Sequence, residues 1–262
     1  MIGDIVGKGG RRALRHLVPE LRRQYQCHFC VANGENMAGG GGFNSKCLEE
    51  LKGCGVDVFT SGDHVWDQRE FVEQIDRFPQ VLRPANVHAD QPGRGWAIYP
   101  AAGGGEVGVI NLLGRTFMNF PYDCPFRAAE AALAEIVKRT PIVMVDFHAE
   151  ATSEKTAMAR FLDGRVSAVL GTHTHVPTAD EQILPGGTAF QCDVGMVGSR
   201  DSILGRAVEP VLHRFITGMP GHFTVVETDI RLQGTVFEVE PDGGRALRIE
   251  RIVRDMPAET DR

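Results

Sequence analysis

The stretch that most constrains the fold is an apolar run followed by two histidines. It reads Val169-Leu170-Gly171-Thr172-His173-Thr174-His175-Val176. If the run is a strand whose extended backbone continues past its end, residues i and i+2 point the same way. Both imidazoles then reach one volume at the carboxyl edge of a sheet, where open α/β sheets usually bind ligands. The pair therefore predicts a functional site at that edge.

Further polar side chains follow short apolar runs in the same way, namely Asp4, Glu35, Asn36, Asp63, His64 and His148. Carboxylates, amides and imidazoles without thiolates favour Mn, Fe, Zn or Mg over a soft metal. These donors exceed what one tetrahedral ion needs, and two ions about 3.5–4 Å apart that share a carboxylate account for the excess. The sequence therefore predicts a polynuclear metal site.

A metal pair of this kind favours phosphate-ester hydrolysis. It lowers the pKa of a bridging water, which gives hydroxide at neutral pH, and it polarises phosphoryl oxygens. His64 has a suitable ordinary pKa to protonate a leaving alkoxide. The alternatives are a structural His64, an Asp4 that caps local backbone N–H groups, and loop polar roles for Glu35 and Asn36.

Charge and hydropathy exclude other classes of function. The 262 residues carry 34 acids and 28 bases, for a net charge of −6 without a long run of either sign. This balance argues against a stable nucleic-acid complex, which needs a basic face. No apolar segment reaches the roughly 18 residues of a membrane span, and the start lacks a signal-peptide pattern. We expect a cytoplasmic protein that does not bind membranes, and homo-oligomer formation stays open.

Six cysteines are present, and Cys27 and Cys30 form a C-x-x-C pair. No second pair follows at zinc-ribbon spacing, so we expect free thiols in a reducing compartment. The glycine run Gly39 to Gly42 could cradle a phosphate, but it lacks the lysine of a phosphate-binding loop, which favours a flexible connector. Gly93-Arg94-Gly95 is an equally weak signal. The remaining histidines are interpreted as ordinary residues: His16, His28, His88, His213 and His222.

Periodicity predicts βα units first and an antiparallel meander at the end, which fits one mixed α/β domain over residues 1–262. Predicted helices are 11–25, one opened by Asn44 or Ser45, one from a capping box at Asp67 and Glu70 through Phe78, 126–138, 153–162 and 207–217. Predicted strands are 29–32, 56–60, 96–99, 107–112, 142–145, 166–170, 188–192, 223–230, 234–239 and 247–253. Only three residues precede Asp4, which resembles the tail of a strand. We therefore expect a start truncated upstream, which the intact mass of the native protein would test.

The ordered motifs of the chain resemble those of a known superfamily. They are Gly3-Asp4, Gly34-Glu35-Asn36, Gly62-Asp63-His64, Asp146-Phe147-His148 and the 171–175 stretch, together with 82–86, 148–155 and 193–196. The chain resembles the calcineurin-like metallophosphoesterases over nearly its whole length. It is most similar to their bacterial YmdB-type branch of 2′,3′-cyclic-nucleotide 2′-phosphodiesterases.

The resemblance implies a four-layer α/β/β/α sandwich of two mixed sheets and a dinuclear centre. One divalent metal would be held by Asp4, Asn36 and His175. The other would be held by Asp63, His148 and His173, with Glu35 bridging and His64 as general acid. Fe or Mn is favoured, with Mg or Zn as alternatives.

Two positions depart from related patterns. The wider superfamily has a histidine two residues after the first aspartate, where this chain and the branch have Val6, and Asn36 is expected to compensate. At Asp63 this chain departs from the branch itself, which has asparagine there. A carboxylate at this position adds negative charge beside the metals and weakens the Lewis acidity left for a phosphate.

The leading hypothesis is a dimetal phosphodiesterase acting on small phosphodiesters such as 2′,3′-cyclic nucleotides. Metal-bound hydroxide would attack phosphorus while His64 protonates the departing 2′ oxygen, leaving a 3′-nucleotide. One alternative is a broad-specificity phosphomonoesterase or phosphodiesterase with the same metals. Another is a metal-binding regulatory or RNA-associated protein of low turnover. The sequence identifies no substrate-binding residue.

Overall fold

The computed structural model describes residues 1–119 and 122–257. Its α-helices are α1 (Gly7–Gln24), α2 (Ser45–Glu50), α3 (Pro125–Ile136), α4 (Thr152–Leu162) and α5 (Val208–Thr217). Its strands are β1 (Asp4–Ile5), β2 (Val31–Asn33), β3 (Val58–Thr60), β4 (Trp96–Pro100), β5 (Glu106–Leu113), β6 (Val143–His148), β7 (Ala168–Thr172), β8 (Gln182–Ile183), β9 (Ala189–Gln191), β10 (Met196–Ser199), β11 (Ile230–Val239) and β12 (Ala246–Asp255).

The first sheet, sheet I, combines strands from both ends of the chain. Strands β1, β10, β11 and β12 are neighbours in that order, and β2 pairs with β3 in parallel. The two groups are joined because Ile2 bridges to Ala32 on one side and to Gly234 on the other. β1 runs parallel to β10, whereas β11 is antiparallel to both of its neighbours, so the sheet is mixed.

The second sheet, sheet II, has the order β4-β5-β6-β7-β9-β8. The four central strands are parallel, and the edge strands β4 and β8 are antiparallel to their neighbours. A parallel sheet must be buried on both faces, because its crossover connections cover it. The fully buried pattern of β6 and β7 agrees with this requirement.

Three apolar clusters arrange these elements in four layers. Leu14 of α1 packs with Ile5 and Leu232 on the outer face of sheet I. Leu133 of α3 and Met158 of α4 belong to a cluster on the outer face of sheet II. A third cluster lies between the sheets, with Val31 and Val58 from one and Val109 and Leu170 from the other. The predicted α/β/β/α arrangement with two mixed sheets is thereby confirmed.

The region from Asp67 to Phe78 was predicted as one capped helix, and this prediction is wrong. The structure has two 3₁₀ turns there, Arg69–Glu73 and Ile75–Arg77. The Asp67 carboxylate lies 2.8 Å from Nδ1 of His64. It contacts this imidazole and does not cap a helix. By contrast, Asn44 does cap α2, accepting a hydrogen bond of 2.8 Å from the backbone N–H of Cys47.

The predicted strand over residues 223–230 is also wrong, since β11 begins only at Ile230. The stretch before it pairs with the residues that precede α5. Ala207 donates its backbone N–H to the carbonyl of Thr224, and Val226 donates to that of Gly205. The residues with this alternating pattern therefore pair with the segment just before α5. They do not form a third strand of the meander.

The six cysteines are free thiols, and four of them are buried. Among the helices that the structure describes, none combines the length and apolar character that crossing a bilayer requires.

Candidate metal centre

The candidate site lies where the carboxyl ends of strands from both sheets meet. Beneath it, Asn33 at the end of β2 donates a hydrogen bond of 3.0 Å to Oδ2 of Asp146 in β6. Sheet I and its loops supply the oxygen and amide ligands predicted from the sequence, which are Asp4, Glu35, Asn36 and Asp63. Sheet II and its loops supply the imidazoles of His148, His173 and His175.

Four of the predicted ligands form one compact group. Glu35, Asp63, His148 and His173 each offer one ligand atom, and these atoms lie within 4.8 Å of one another. Nε2 of His148 lies 3.1 Å from Oε1 of Glu35 and 3.4 Å from Oδ1 of Asp63. Nδ1 of His173 lies 3.0 Å from the same His148 nitrogen. This donor set fits a metal-dependent phosphoesterase.

The remaining predicted ligands form a second group beside the first. Nε2 of His175 lies 3.3 Å from Nδ2 of Asn36 and 3.8 Å from Oδ1 of Asp4. The Asn36 amide also donates 3.0 Å to Oε1 of Glu35, the oxygen that faces His148. Asparagine binds a cation through its oxygen, which a half-turn of the amide brings to the same place. One carboxylate oxygen therefore contacts both groups.

Each histidine presents one nitrogen to the cluster and has a polar partner for the other. Nδ1 of His148 lies 2.9 Å from Oγ1 of Thr172, which itself donates to Asp146. Nε2 of His173 lies 3.2 Å from Oε2 of Glu150. Nδ1 of His175 lies 3.2 Å from the carbonyl of Leu204. Metal-bound histidines are held in their ligating tautomer by partners of this kind.

Two buried carboxylate oxygens test whether the cluster fits a cation. Oδ1 of Asp4 and Oδ1 of Asp63 are shielded from solvent and accept no hydrogen bond from the described residues. A buried charged oxygen without a donor is costly unless it coordinates an ion. Because both oxygens face imidazole nitrogens, the residues present fit bound divalent cations.

Burial and mutual attraction shift the pKa values within the cluster. Burial is the largest single influence on Glu35 and His148 and opposes their charged forms, but the attraction of several oppositely charged neighbours together outweighs it. The pKa of Glu35 is therefore lowered, and that of His148 is raised well above its usual range. Burial raises the pKa of Asp4 well above the usual carboxyl range. It also lowers the pKa of His173 to about 4 and lowers that of His175. Both of these imidazoles are neutral near pH 7, the form that binds metals.

The loop of residues 173–175, called the histidine loop, does not have the predicted backbone conformation. β7 ends at Thr172, and the φ angles of His173 and His175 are 99° and 64°, so the backbone is not extended. The N–H of His173 donates 3.2 Å to Asp4, which helps to turn the chain. The two imidazoles converge because of this turn and not because of strand alternation.

His64 lies at the rim of the cluster with a carboxylate partner. Its Nδ1 lies 2.8 Å from Oδ2 of Asp67, and its backbone N–H donates 3.4 Å to Oε2 of Glu35. Burial acts to lower the pKa of His64, but nearby carboxylates, Glu35 first, raise it overall. The ring therefore remains protonated to a higher pH than an ordinary histidine, which suits a proton donor.

The glycine run Gly39 to Gly42 packs between the His64 segment and Arg206, which lies just before α5. A Cβ on Gly41 would lie 2.8 Å from Oδ2 of Asp67, and one on Gly40 would meet the guanidinium of Arg206. Gln68 donates a hydrogen bond of 2.9 Å to the Gly41 carbonyl. The run therefore permits a close approach of the segment that holds His64.

A cleft of about 350 Å³ opens onto both groups of ligands. This volume lies in the range of small-molecule sites, about 300–1,000 Å³. Its walls include His64 and the predicted ligands Glu35, Asn36, His173 and His175, together with Glu150, Thr174, Leu204 and Arg206. Arg206 donates hydrogen bonds to the carbonyls of Gly40 and Phe223.

Sequence reasoning missed the residues that support the site. Asp146 and Glu150 orient histidines, and Asp67 contacts His64. Lys155 and Asp193 form a buried ion pair of 2.8 Å behind the histidine loop. All of them lie in or beside the motifs quoted above, but the side-chain partners of Asp146, Glu150, Lys155 and Asp193 are far away in sequence. Only Asp67 carried a local signal, and that signal suggested a helix cap.

The chain is similar to known proteins over nearly its whole length. A model of the YmdB-like protein family matches residues 1–252. The 2′,3′-cyclic-nucleotide 2′-phosphodiesterase of Bacillus subtilis (strain 168) is 48% identical over 252 residues, or 96% of this chain and 95% of that protein.

Two solved structures have the same fold. A hypothetical protein from Thermus thermophilus has a TM-score of 0.90 and 42% identity, with 98% of each chain covered. A novel phosphatase from Mycoplasma pneumoniae also has a TM-score of 0.90, with 32% identity over 97% of this chain and 92% of that one.

Fold, donor set and relatives define a hydrolase of phosphoric esters. Within that class, the chain belongs to the YmdB-like protein family.

Proposed function

We propose that the chain is a single-domain, dimetal-dependent phosphodiesterase of the cytoplasm. The observation that carries this proposal is the position of Glu35. Its Oε1 lies 3.1 Å from Nε2 of His148 and 3.0 Å from Nδ2 of Asn36, so it contacts both ligand groups. A carboxylate shared between two donor sets is what a pair of ions requires.

The contacts among the candidate ligands assign three of them to each of two cation sites in this proposal. Asp4, Asn36 and His175 would hold one ion, and Asp63, His148 and His173 the other. Oxygen and imidazole donors favour Fe or Mn, with Mg or Zn as alternatives. When bound, the ions supply a hydroxide nucleophile at neutral pH and neutralise charge on phosphoryl oxygens.

Two of the protein's own residues, His64 and Asp67, would supply the proton for the leaving group. His64 would protonate the departing 2′ oxygen, with Asp67 holding its Nδ1 so that Nε2 is directed to the leaving group. The resulting product is a nucleoside 3′-phosphate. The name of the Bacillus subtilis relative supports a 2′,3′-cyclic nucleotide as the substrate. The net charge of −6 favours such a small phosphodiester over a stable nucleic-acid complex.

The decisive experiment measures 3′-AMP released from 2′,3′-cyclic AMP by metal-stripped protein after single additions of Mn²⁺, Fe²⁺, Mg²⁺ or Zn²⁺. Hydrolysis should require metal. His64→Ala should lower kcat by about 10²–10⁴-fold without loss of metal, because a general acid contributes that much. His88→Ala is the matched control, since exposed His88 also lies beside an aspartate, Asp90, and should leave kcat unchanged.

Other outcomes would replace the proposal. Faster hydrolysis of p-nitrophenyl phosphate or of its bis ester than of the cyclic nucleotide would indicate a broad-specificity phosphoesterase. Metal binding that raises Tm without hydrolysis of any of these esters would indicate a regulatory protein. An unchanged kcat in His64→Ala would remove this residue as the proton donor.

Asp63→Asn is expected to retain two metals and to equal or exceed the turnover of the natural chain. Oδ1 of Asp63 lies 3.4 Å from His148 and 3.6 Å from His173, and an amide oxygen can occupy the same place. Removing one negative charge leaves more Lewis acidity for the phosphate. Metal content and kcat, with exposed Asp90→Asn as control, test this expectation. Loss of both metal and turnover would show that the carboxylate itself is required.

A further inference from the structure

Arg206 brings a positive charge to the wall of the cleft without a carboxylate partner. Its half-buried guanidinium lines the cleft of about 350 Å³, and no carboxylate of the described residues lies within ion-pair distance of it. Burial lowers the pKa of this guanidinium, although an arginine keeps its charge in a protein. A charge removed from water is costly unless it is paired, so this part of the wall favours a bound anion.

Two backbone carbonyls fix the orientation of the guanidinium. It donates through Nη2 to the carbonyl of Gly40 and through Nη1, at 3.2 Å, to that of Phe223. A Cβ at position 40 would lie 2.6 Å from Cζ of Arg206, so only glycine admits this contact. Gly40 in turn donates its N–H 3.1 Å to the carbonyl of Asn36. A guanidinium has five N–H donors, and these two carbonyls leave three of them for a ligand.

A tight turn holds Arg206 beside the candidate metal centre. Ile203 and Arg206 pair through both of their backbone N–H groups, at 2.9 Å and 3.0 Å. Leu204, within this turn, offers its carbonyl to Nδ1 of His175 at 3.2 Å. The guanidinium therefore lies next to the site assigned to His175 and not among its ligands. Because the turn is closed, little freedom of the backbone is lost when a ligand binds.

The charges around the cleft indicate which anion Arg206 binds. In the proposed function, the phosphate that is hydrolysed lies on the two ions, which neutralise its charge. Arg206 is displaced from those ligands and suits a second anionic group. Glu150 is 48% exposed beside His173, so its negative charge repels an anion from that side of the cleft. The second group is thereby directed to Arg206.

We propose that Arg206 binds a second phosphate of the substrate, carried on the 5′ oxygen of the nucleoside whose 2′,3′-cyclic phosphate is hydrolysed. Both the 2′ and the 3′ oxygen of such a nucleotide are taken, so the 5′ oxygen is its remaining place for a phosphate. That phosphate belongs either to a 5′-phosphorylated mononucleotide or to the last phosphodiester at the 3′ end of a short RNA. The planar fork of arginine fits two oxygens of a phosphate. The identity of the nucleotide rests on the proposed function, whereas the preference for a second phosphate is measurable by binding alone.

Two products that differ by one phosphate test the proposal without turnover. Isothermal titration calorimetry on the metal-loaded protein compares 3′-AMP with adenosine 3′,5′-bisphosphate. The bisphosphate should bind about 10–100-fold more tightly, as a hydrogen bond to a charged group contributes. Arg206→Met should abolish this preference, and Arg206→Lys should keep part of it, because lysine retains the charge but not the fork. Arg254→Met is the matched control, since half-buried Arg254 also donates to a backbone carbonyl but lies outside the cleft lining.

The ratio of the two dissociation constants separates phosphate binding from support of the glycine run. If Arg206→Met weakens both products equally, the residue only holds Gly40 and the proposal is overturned. Equal binding of the two products by the natural chain would overturn it as well. Tm of each variant confirms that it is folded.

Rates on three substrates then identify the source of the second phosphate. They are 2′,3′-cyclic AMP, its 5′-phosphorylated form and an adenosine dinucleotide that ends in a 2′,3′-cyclic phosphate. The highest kcat/KM for the dinucleotide would identify RNA ends, and the highest for the 5′-phosphorylated form would identify mononucleotides. The highest for 2′,3′-cyclic AMP itself would overturn this substrate class. If none is hydrolysed but the bisphosphate is still preferred, the proposed function is refuted and the second-phosphate site remains.

Discussion

Gly62→Ala is expected to lower kcat/KM by about 100-fold or more and to reduce bound metal. A Cβ at this position would lie 1.9 Å from Oε2 of Glu35 and 2.3 Å from Nε2 of His148. Both distances are far below van der Waals contact, so one or both ligands must move. Displacement of a reacting geometry by about 1 Å can cost 10²-fold in rate. Position 62 therefore requires glycine, because Glu35 and His148 leave no room for a side chain there.

The measurement combines kcat/KM for a phosphodiester with metal content by elemental analysis. Gly243→Ala is the matched control, because the nearest heavy atom to its Cβ would be 3.5 Å away, an ordinary contact. Retention of Tm in both variants would restrict the effect to the site. Full activity and full metal occupancy in Gly62→Ala would contradict the close approach described for Glu35 and His148.

Lys155→Met is expected to lower the free energy of unfolding by about 3–5 kcal/mol, because it leaves a buried carboxylate without its partner. Lys155 and Asp193 are each 1% exposed, and their charged atoms are 2.8 Å apart. The same Asp193 oxygen accepts 3.0 Å from the backbone N–H of Thr174, between the two histidines of the loop. The change should therefore weaken metal binding as well as stability.

Urea unfolding and metal titration measure the two effects of this substitution. Lys138→Met is the matched control, since Lys138 pairs with Glu135 at 2.7 Å but both side chains are more than half exposed. An exposed pair contributes about 0–1 kcal/mol. If the two lysine variants lose equal stability and both keep full metal affinity, the buried pair does not support the histidine loop.

Strand ends made the donor residues of the site predictable from the sequence. Asp4, Glu35, Asp63 and His148 each lie in or just after a short buried strand, and the structure brings them together. Parallel strands have their carboxyl ends at one edge, so the chemistry of each residue type was enough to suggest a shared function. Their roles as ligands stay predictions that the experiments above address.

The supporting contacts could not be predicted, because they depend on tertiary pairing. Glu150 reaches His173, and Asp193 reaches both Lys155 and the loop backbone, across long separations in sequence. The prediction of an extended backbone at His173 was wrong for the same reason. The backbone N–H of His173 donates to Asp4, a residue far away in sequence, and the chain turns there. The alternating residues before Ile230 pair with a neighbouring segment that no local pattern identifies.

The division of the candidate ligands between the two sheets would link metal binding to folding. Sheet I alone would gather the carboxylates of Asp4, Glu35 and Asp63 without a counter-charge, and sheet II alone would offer only imidazoles. An ion that needs both types binds the assembled sandwich and not the unfolded chain, so it stabilises the native state in proportion to the logarithm of its concentration. Chelators should therefore lower the Tm of the protein.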